Sequence, residues 1–304
     1  MFLTTDEIFF KTEKRLEPLS FIKNTNELTN VDTASVRGLV VRLGFNVDKS
    51  VLDALSDLKV VATITTGLNH IDTKECLQRG IEVISLKEEI SFLETIKATP
   101  ELTWSLLLAL VRNIDGAFAS VKNGAWDRQR FYGNELSGKT IGIYGLGRVG
   151  KIIKQYAEAF GMKVVASDLK KDVDATYVSP HELFEQADVL SVHLPLEEQT
   201  KAIVNRELLQ KMKPTAVLIN TARGEIIDES ALLEVLESGK ISGAAVDVLS
   251  DEINFNGDCT SSKLVQYAMK NTNLIITPHI AGSTHESMER TAEFIGKKVY
   301  EFLN

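Results

Sequence analysis

Three charged side chains follow predicted strands in the second half of the chain: Arg223, Glu252 and His279. Each comes at or just beyond the end of a short apolar run, which is typical of a buried strand. In open parallel sheets, ligands lie beyond the carboxyl ends of the strands. We therefore expect these three side chains to meet at one ligand site.

The residue types favour one kind of chemistry. The planar fork of arginine binds a carboxylate and an adjacent carbonyl oxygen, and a histidine near neutrality gives or takes the proton of a hydroxyl. A carboxylate beside the histidine favours the imidazolium and fixes its tautomer. Taken singly, each residue has an ordinary alternative: a surface cation for Arg223, a solvated acid for Glu252 and a structural hydrogen bond for His279. Their joint placement after successive strands favours chemistry on a 2-oxo or 2-hydroxy acid.

Residues 139–168 have the features of a dinucleotide-binding turn. The apolar run 140–144 predicts a buried strand, and Gly145, Gly147 and Gly150 follow in G-x-G-x-x-G spacing. The first glycine permits a tight turn, the second lets the backbone approach a pyrophosphate, and the third lets the helix pack close to the strand. The alternative is an ordinary structural turn between a strand and a helix.

Asp168 ends the second predicted strand, 162–167. A carboxylate there can accept hydrogen bonds from both ribose hydroxyls and would repel a 2′-phosphate. The complete set of strand, loop, helix, strand and acid therefore predicts NAD rather than NADP. With NAD beside them, the three charged side chains suit hydride transfer between a 2-hydroxy acid and its 2-oxo acid.

Length and composition indicate a globular protein of about two domains. The chain has 304 residues, of which 44% are hydrophobic and 25% charged, and its net charge is −8. No basic run suggests nucleic-acid binding, no apolar run is long enough to span a bilayer, and the N-terminus lacks a signal-peptide pattern. Cys76 and Cys259 have no metal-ligand spacing. We expect a cytoplasmic protein with no metal site and with neither nucleic acid nor membrane as partner.

Short apolar runs alternate with helical patterns along almost the whole chain, which predicts an α/β fold. We expect two doubly wound parallel-sheet domains, a Rossmann cofactor domain and a smaller flavodoxin-like substrate domain. Six predicted strands belong to the cofactor domain, residues 99–280. The final helix is expected to return to the smaller domain, which then comprises residues 1–98 and 281–304.

The smaller domain is predicted from three strands, at 36–42, 58–65 and 83–86, with a further strand near 2–4 or 8–10. In the cofactor domain, the segment 102–114 is apolar almost all round, so it is either a core helix or a contact with a second subunit. We favour the second interpretation, which predicts a homodimer formed through the cofactor domain.

Several long segments resemble the D-isomer-specific 2-hydroxyacid dehydrogenase family over nearly the whole chain. They are TTGLNHID, ATPELTWSLLLALVRNI, GNELSGKTIGIYGLGRVGK, SVHLPL, LINTARGEIIDESALLEVLESGKISGAAVDV and TPHIAGST. The resemblance implies that His279 is the acid/base, Glu252 its partner and Arg223 the substrate clamp. It also implies backbone N–H groups directed at the substrate carboxylate from a loop made of Gly67, Leu68 and Asn69.

The same resemblance implies a set of cofactor contacts. Those at the pyrophosphate and the adenosine ribose are Arg148, Val149 and Asp168. Those on the adenine side are His193, Leu194, Pro195 and Thr200. Those beside the nicotinamide are Thr221, Ala222 and Asp247. For His193 an equal alternative is a core residue at a strand end, and for Asp247 a helix-cap or loop acid.

Two segments depart from the family pattern. The pattern D-V-F-E-x-E-P around the glutamate reads DVLSDEI here, with Ser250 and Ile253 in place of the first acid and the proline. The segment 85–102, SLKEEISFLETIKATPEL, looks longer than in many relatives. The first departure puts the geometry of the loop after Glu252 in question, and the second is expected to bear on the shape of the substrate pocket.

Within the family, the stretch VKNGAWDRQRFYGNELSGKTIGIYGLGRVG is most similar to 3-phosphoglycerate dehydrogenases. Arg42 and Arg128 match positions that serve a substrate phosphate in some of those enzymes, although a further basic position is the neutral Thr63, and surface arginines are the alternative. The substrate pair 3-phosphoglycerate/phosphohydroxypyruvate therefore stands beside glyoxylate or hydroxypyruvate reduction. A protein that binds NAD without turnover is a third hypothesis.

Overall fold

Two compact units make up the chain in a computed structural model that describes residues 1–255 and 257–304. One unit comprises Met1–Lys97 with Ser283–Asn304, and the other comprises Ala98–Gly282. Each unit has its own parallel sheet. The expected α/β class with two parallel-sheet domains is confirmed.

The first unit is built on a five-stranded sheet with the order β2-β1-β3-β4-β5, which is the flavodoxin-like order. Its strands are β1 (Phe2–Thr4), β2 (Leu19–Phe21), β3 (Gly38–Val41), β4 (Val60–Thr63) and β5 (Glu82–Ile84). Its helices are α1 (Glu7–Thr12), α2 (Lys49–Ala54), α3 (Thr73–Gln78), α4 (Ile90–Leu93) and α12 (His285–Leu303).

Alternate residues of the central strands point to opposite faces of this sheet. Leu39 and Val41 pack in one apolar cluster with side chains of α2 and α3. Val40 lies in the other cluster, which α1 and α12 cover with Phe9 and Ile295. Both faces are therefore buried, as continuous apolar strands require.

The first 30 residues contain two strands. The strand at 2–4 is confirmed, whereas residues 8–10 lie in α1. The second strand, β2, was not predicted, because its three residues are all only half-buried and form no apolar run.

The second unit is built on a seven-stranded parallel sheet with the order β12-β11-β10-β9-β6-β7-β8. Its strands are β6 (Thr140–Tyr144), β7 (Lys163–Ser167), β8 (Thr176–Tyr177), β9 (Val189–Val192), β10 (Val217–Asn220), β11 (Gly243–Val246) and β12 (Leu274–Ile276). Its helices are α5 (Ala98–Val111), α6 (Ile114–Lys122), α7 (Arg148–Ala159), α8 (Pro180–Gln186), α9 (Arg206–Lys211), α10 (Glu229–Glu237) and α11 (Lys263–Ala268).

This order is the Rossmann arrangement, with the order reversing between β6 and β9 and one strand added at the edge. The prediction of six strands was one too few. The missing strand, β8, has only two residues, and so short an element leaves no periodic pattern in the sequence.

The apolar helix α5 is covered by its own unit. Its buried side chains include Trp104, Leu107 and Leu110, and it packs against α7, β10 and β11. Most of its apolar surface is therefore buried within the unit, and its predicted contact with a second subunit stays a prediction.

None of the helices in the described residues is by itself both long and apolar enough to cross a membrane. The pair α5 and α6 meets the test of length and composition only jointly, and it is bent by 67° at its break.

Candidate active site

Arg223, Glu252 and His279 follow β10, β11 and β12, which are neighbours in the sheet. Because these strands are parallel, their carboxyl ends share one edge. Glu252 Oε1 contacts His279 Nδ1, and burial lowers the pKa of the Arg223 guanidinium while the nearby charge of Glu252 opposes that shift. The structure thus brings all three predicted catalytic residues together within the second unit.

His279 has a backbone conformation that is unusual for a residue with a side chain. Its φ is 52°, in the left-handed region. Residues on both sides of it are held by Asp247, whose carboxylate accepts hydrogen bonds from the Thr277 hydroxyl at 2.5 Å and from the backbone N–H of Ile280 and Ala281 at 2.9 and 2.8 Å. These contacts stabilise the turn that directs the imidazole.

Asp247 is completely buried. Burial raises the pKa of its carboxyl, and the three hydrogen bonds and nearby His279 oppose that rise. The carboxylate therefore serves the His279 turn in this structure. Its predicted contact with a nicotinamide amide stays a prediction.

Arg223 lies in a tight turn that a buried amide organises. Asn220 donates from Nδ2 to Arg223 O at 2.9 Å and accepts at Oδ1 from Ala222 N–H at 3.0 Å. The guanidinium donates to Ala222 O at 2.6 Å. Burial lowers the pKa of Arg223, while Glu252 and Glu225 oppose that effect. An arginine remains a cation under such conditions, so the site holds a partly desolvated positive charge.

The loop that carries Glu252 is fixed by two contacts that sequence reasoning missed. Glu229, the first residue of α10, accepts the Ser250 N–H at 2.6 Å. A Cβ on Gly224 would lie 2.1 Å from the Leu249 carbonyl carbon, so the backbone of the loop packs directly on this glycine. Glu252 Oε2 also accepts the Leu249 N–H at 3.1 Å. These contacts fix the loop although the usual proline is absent.

The glycine-rich turn has the geometry that the spacing predicted. Gly145 has a φ of 98°, and a Cβ on it would lie 2.7 Å from His193 O. A Cβ on Gly150 would lie 2.2 Å from Gly145 O, whereas one on Gly147 would meet no described atom within 4 Å. Gly147 precedes α7, whose first turn begins with Arg148 and Val149. The turn therefore leaves open space at the amino end of a 12-residue helix, which fits a pyrophosphate.

Asp168 joins the end of β7 to this turn. One carboxylate oxygen accepts the Leu146 N–H at 2.6 Å and the other accepts the Lys170 N–H at 2.8 Å. Each oxygen has a second lone pair for a ribose hydroxyl. The acid and the glycine turn thus form one structural unit that suits NAD.

His193 lies against the glycine turn, and its Nε2 is 2.8 Å from Ser191 Oγ. Burial lowers the pKa of the imidazole to about 3. The side chain is therefore neutral near pH 7, which suits an adenine edge better than a phosphate.

The other predicted cofactor residues have partners within the protein. The Thr200 hydroxyl donates to Pro195 O at 2.7 Å and accepts the Glu197 N–H, so it shapes its own loop. The Thr221 hydroxyl lies 2.6 Å from the hydroxyl of Thr103 on α5, a buried contact. Their predicted contacts with the cofactor stay predictions.

The predicted substrate residues lie in different units. Gly67, Leu68 and Asn69 follow β4 in the first unit, and Arg42 follows the adjacent β3. The Arg42 guanidinium lies 3.3 Å from the buried carboxylate of Asp6 and also contacts Met288. Arg128 begins an exposed 3₁₀ turn in the second unit.

No group of His, Cys, Asp and Glu among the described residues is arranged to hold a metal ion.

The chain belongs to the D-isomer-specific 2-hydroxyacid dehydrogenase family. Residues 104–281 match the family profile described as "D-isomer specific 2-hydroxyacid dehydrogenase, NAD binding domain". The protein is an NAD-dependent oxidoreductase that acts on the CH–OH group of D-2-hydroxy acids.

Its relatives have different substrates in their names. A hydroxypyruvate reductase of Thermotoga maritima is 35% identical over 87% of this chain and 84% of its own length. A D-3-phosphoglycerate dehydrogenase of Methanocaldococcus jannaschii is 34% identical over 99% of this chain, which spans only 57% of that relative. The structure of a D-lactate dehydrogenase of Aquifex aeolicus, complexed with NAD and lactic acid, has a TM-score of 0.84 and 28% identity, and the alignment covers 99% of this chain and 95% of that one.

Proposed function

We propose that this enzyme reduces a small unphosphorylated 2-oxo acid of the glyoxylate or hydroxypyruvate type. The observation that carries the reaction is the contact between Glu252 and His279 beside the half-buried charge of Arg223. A carboxylate, an imidazole and a guanidinium at one sheet edge supply a proton donor and an anion clamp.

The proposed roles follow from the chemistry of each side chain. Arg223 binds the substrate carboxylate and the carbonyl oxygen, which keeps the carbonyl carbon in one orientation. Bound NADH supplies the hydride. His279, as the imidazolium, gives its Nε2 proton to the carbonyl oxygen, while Glu252 holds Nδ1 and stabilises the positive charge until that proton is transferred.

The surroundings of Arg42 support an unphosphorylated substrate. Its guanidinium is paired with buried Asp6, so the pair carries no net charge toward a phosphate. The neighbouring strand ends in Thr63, which is neutral. The hydroxypyruvate and glyoxylate reductases among the relatives, of which this chain covers 84% and 80%, support the same choice.

The test is NADH oxidation with glyoxylate, hydroxypyruvate, pyruvate and phosphohydroxypyruvate. We expect kcat/KM to be highest for glyoxylate or hydroxypyruvate. A preference for phosphohydroxypyruvate would contradict the proposed substrate class, and no turnover of any acid by a protein that binds NADH would contradict the reaction itself.

Two variants test the roles. His279→Ala should lower kcat roughly 100-fold or more, because general acid catalysis is lost, whereas His181→Ala removes a histidine from an exposed His–Glu pair and should have no effect. Arg223→Ala should raise KM and lower kcat, with Arg206→Ala, from an exposed ion pair, as its control.

We also propose that two copies pair through the second unit. Ile114, Phe118 and Val121 lie on one face of α6 and are more than half exposed, and Trp126 and Tyr132 are exposed in the segment that follows. A second copy of this surface would bury these side chains. Light scattering should give a dimer mass for the native protein and a monomer mass for Phe118→Glu.

A further inference from the structure

A directed series of hydrogen bonds lies behind the loop that contains Gly67 in the first unit. The Thr65 hydroxyl donates to Gly67 O at 3.0 Å. A hydroxyl has one proton, so at its 2.9 Å contact with Thr63 the Thr65 oxygen must accept. Thr63 then has no proton left for His70 Nε2, 3.2 Å away, and must accept from it. The direction is fixed: His70 to Thr63 to Thr65 to Gly67 O.

The first two members of this series are shielded from water. Thr63 is 0% exposed and His70 is 3% exposed. In such surroundings hydrogen bonds are strengthened and are not exchanged for bonds to solvent. The series therefore gives the carbonyl of Gly67 one fixed direction.

Because the Gly67 carbonyl and the Leu68 N–H belong to one planar peptide group, fixing the carbonyl also fixes the direction of the N–H. The Gly67–Leu68 peptide is trans, so the Leu68 N–H points opposite to Gly67 O. Ile71 N–H likewise donates to Leu68 O at 2.9 Å, which turns the Asn69 N–H away from that bond. Among the residues that the structure describes, none accepts a hydrogen bond from the N–H of Leu68 or Asn69.

Two free N–H groups beside each other form an anion-binding concavity. We propose that Thr63, Thr65 and His70 are positioning residues that direct the N–H groups of Leu68 and Asn69 at the carboxylate of the 2-oxo acid. This inference rests on the proposed function. It assigns a role to the hydroxyl of Thr63, which contacts both Thr65 and His70.

The test compares Thr65→Val with Thr291→Val in the enzyme supplied with NADH. Valine keeps the shape of threonine and removes the hydroxyl. The hydroxyl of Thr291 is also buried in the first unit, and its partners among the described residues, Ser287 O and Met288 O, lie in its own helix α12. Thr65→Val should raise KM for the 2-oxo acid roughly tenfold, change kcat little and leave KM for NADH unchanged. Thr65→Ser should restore the native KM.

The outcomes separate the two proposals. If the native enzyme turns over no 2-oxo acid, the proposed function fails. If it is active and Thr65→Val has the same KM as Thr291→Val, the positioning role is wrong. A rise in KM for NADH together with an equal fall in melting temperature for both variants would show a structural role only.

Discussion

Asp247 and His279 are connected twice: the His279 N–H donates to Asp247 O at 2.8 Å, and the Asp247 carboxylate accepts from residues on either side of His279. A fully buried acid thus holds a histidine in a left-handed conformation that costs about 1–2 kcal/mol. The direction of the imidazole depends on a side chain that need not touch substrate.

Asp247→Asn should therefore lower both stability and turnover. An amide has only one accepting oxygen, so at least one of the three donors to this buried acid loses its partner, at a cost of about 1–3 kcal/mol. We expect a lower midpoint in urea and at least a roughly tenfold lower kcat, since misplaced catalytic groups lose rate steeply. Asp258→Asn, at an exposed acid, is the control. Native kcat in Asp247→Asn would show that the turn holds without this carboxylate.

Glu229→Ala should impair catalysis indirectly, through the position of the loop that carries Glu252. It removes the acceptor of the Ser250 N–H and loosens the loop that carries Glu252. We expect kcat to fall several-fold while the Kd for NADH, measured by fluorescence, is unchanged. Glu229→Gln keeps an accepting oxygen at the same place and should retain nearly native kcat. Equal losses in both variants would mean that charge rather than the hydrogen bond is important.

Gly147→Ala and Gly150→Ala should separate cofactor binding from folding. A methyl at Gly147 meets no described atom, so the melting temperature should stay unchanged while NADH binding weakens at least roughly tenfold through contact with the pyrophosphate. A methyl at Gly150 would overlap Gly145 O, so that variant should lose both stability and binding. Unchanged NADH affinity in Gly147→Ala would place the pyrophosphate elsewhere.

The neutral histidine beside the glycine turn should make the protein sensitive to acid. The pKa of His193 is about 3 in the folded protein and near 6.5 when unfolded. Between these values the unfolded chain binds the extra proton, so stability falls as pH decreases from 6.5 toward 3 and is unaffected above that window. From pH 7 to pH 5 this amounts to about 2 kcal/mol.

His193→Asn should consequently lose less stability over that interval than the native protein does. Urea unfolding at pH 7 and pH 5 measures the difference. His181→Asn, at an exposed histidine, should behave like the native protein. An identical pH dependence in His193→Asn would mean that folding does not lower the pKa of this imidazole.

The features that could be predicted from the sequence are mostly those with a local sequence pattern. Gly145, Gly147 and Gly150 lie where their spacing indicates because tight turns and close backbone approach require glycine within a few residues. The strands before Arg223, Glu252 and His279 are apolar runs, and parallel pairing then brings their ends to one edge. The strands β2 and β8 were not predicted, because two or three residues of which none is buried make no periodic pattern.

Contacts between distant segments could not be predicted. Glu229 looks like an ordinary acid in the first turn of a helix, and nothing near it indicates a bond to Ser250. From the sequence, Thr63 is notable only because it is neutral. Its contact with His70 depends on the fold and could not be predicted. Arg42 was expected at a phosphate site. Its ion pair with Asp6 could not be predicted, because Asp6 follows β1 and Arg42 follows β3.

The helix α12 has a consequence for how the nascent chain leaves the ribosome. It covers one face of the first sheet, over Val40, Val60 and Ala62, yet residues 98–282 are translated before it. At common elongation rates that interval lasts roughly 10–40 s. During this time the uncovered face of the sheet exposes apolar side chains to water. We therefore expect nascent chains of this enzyme to bind chaperones that act during translation.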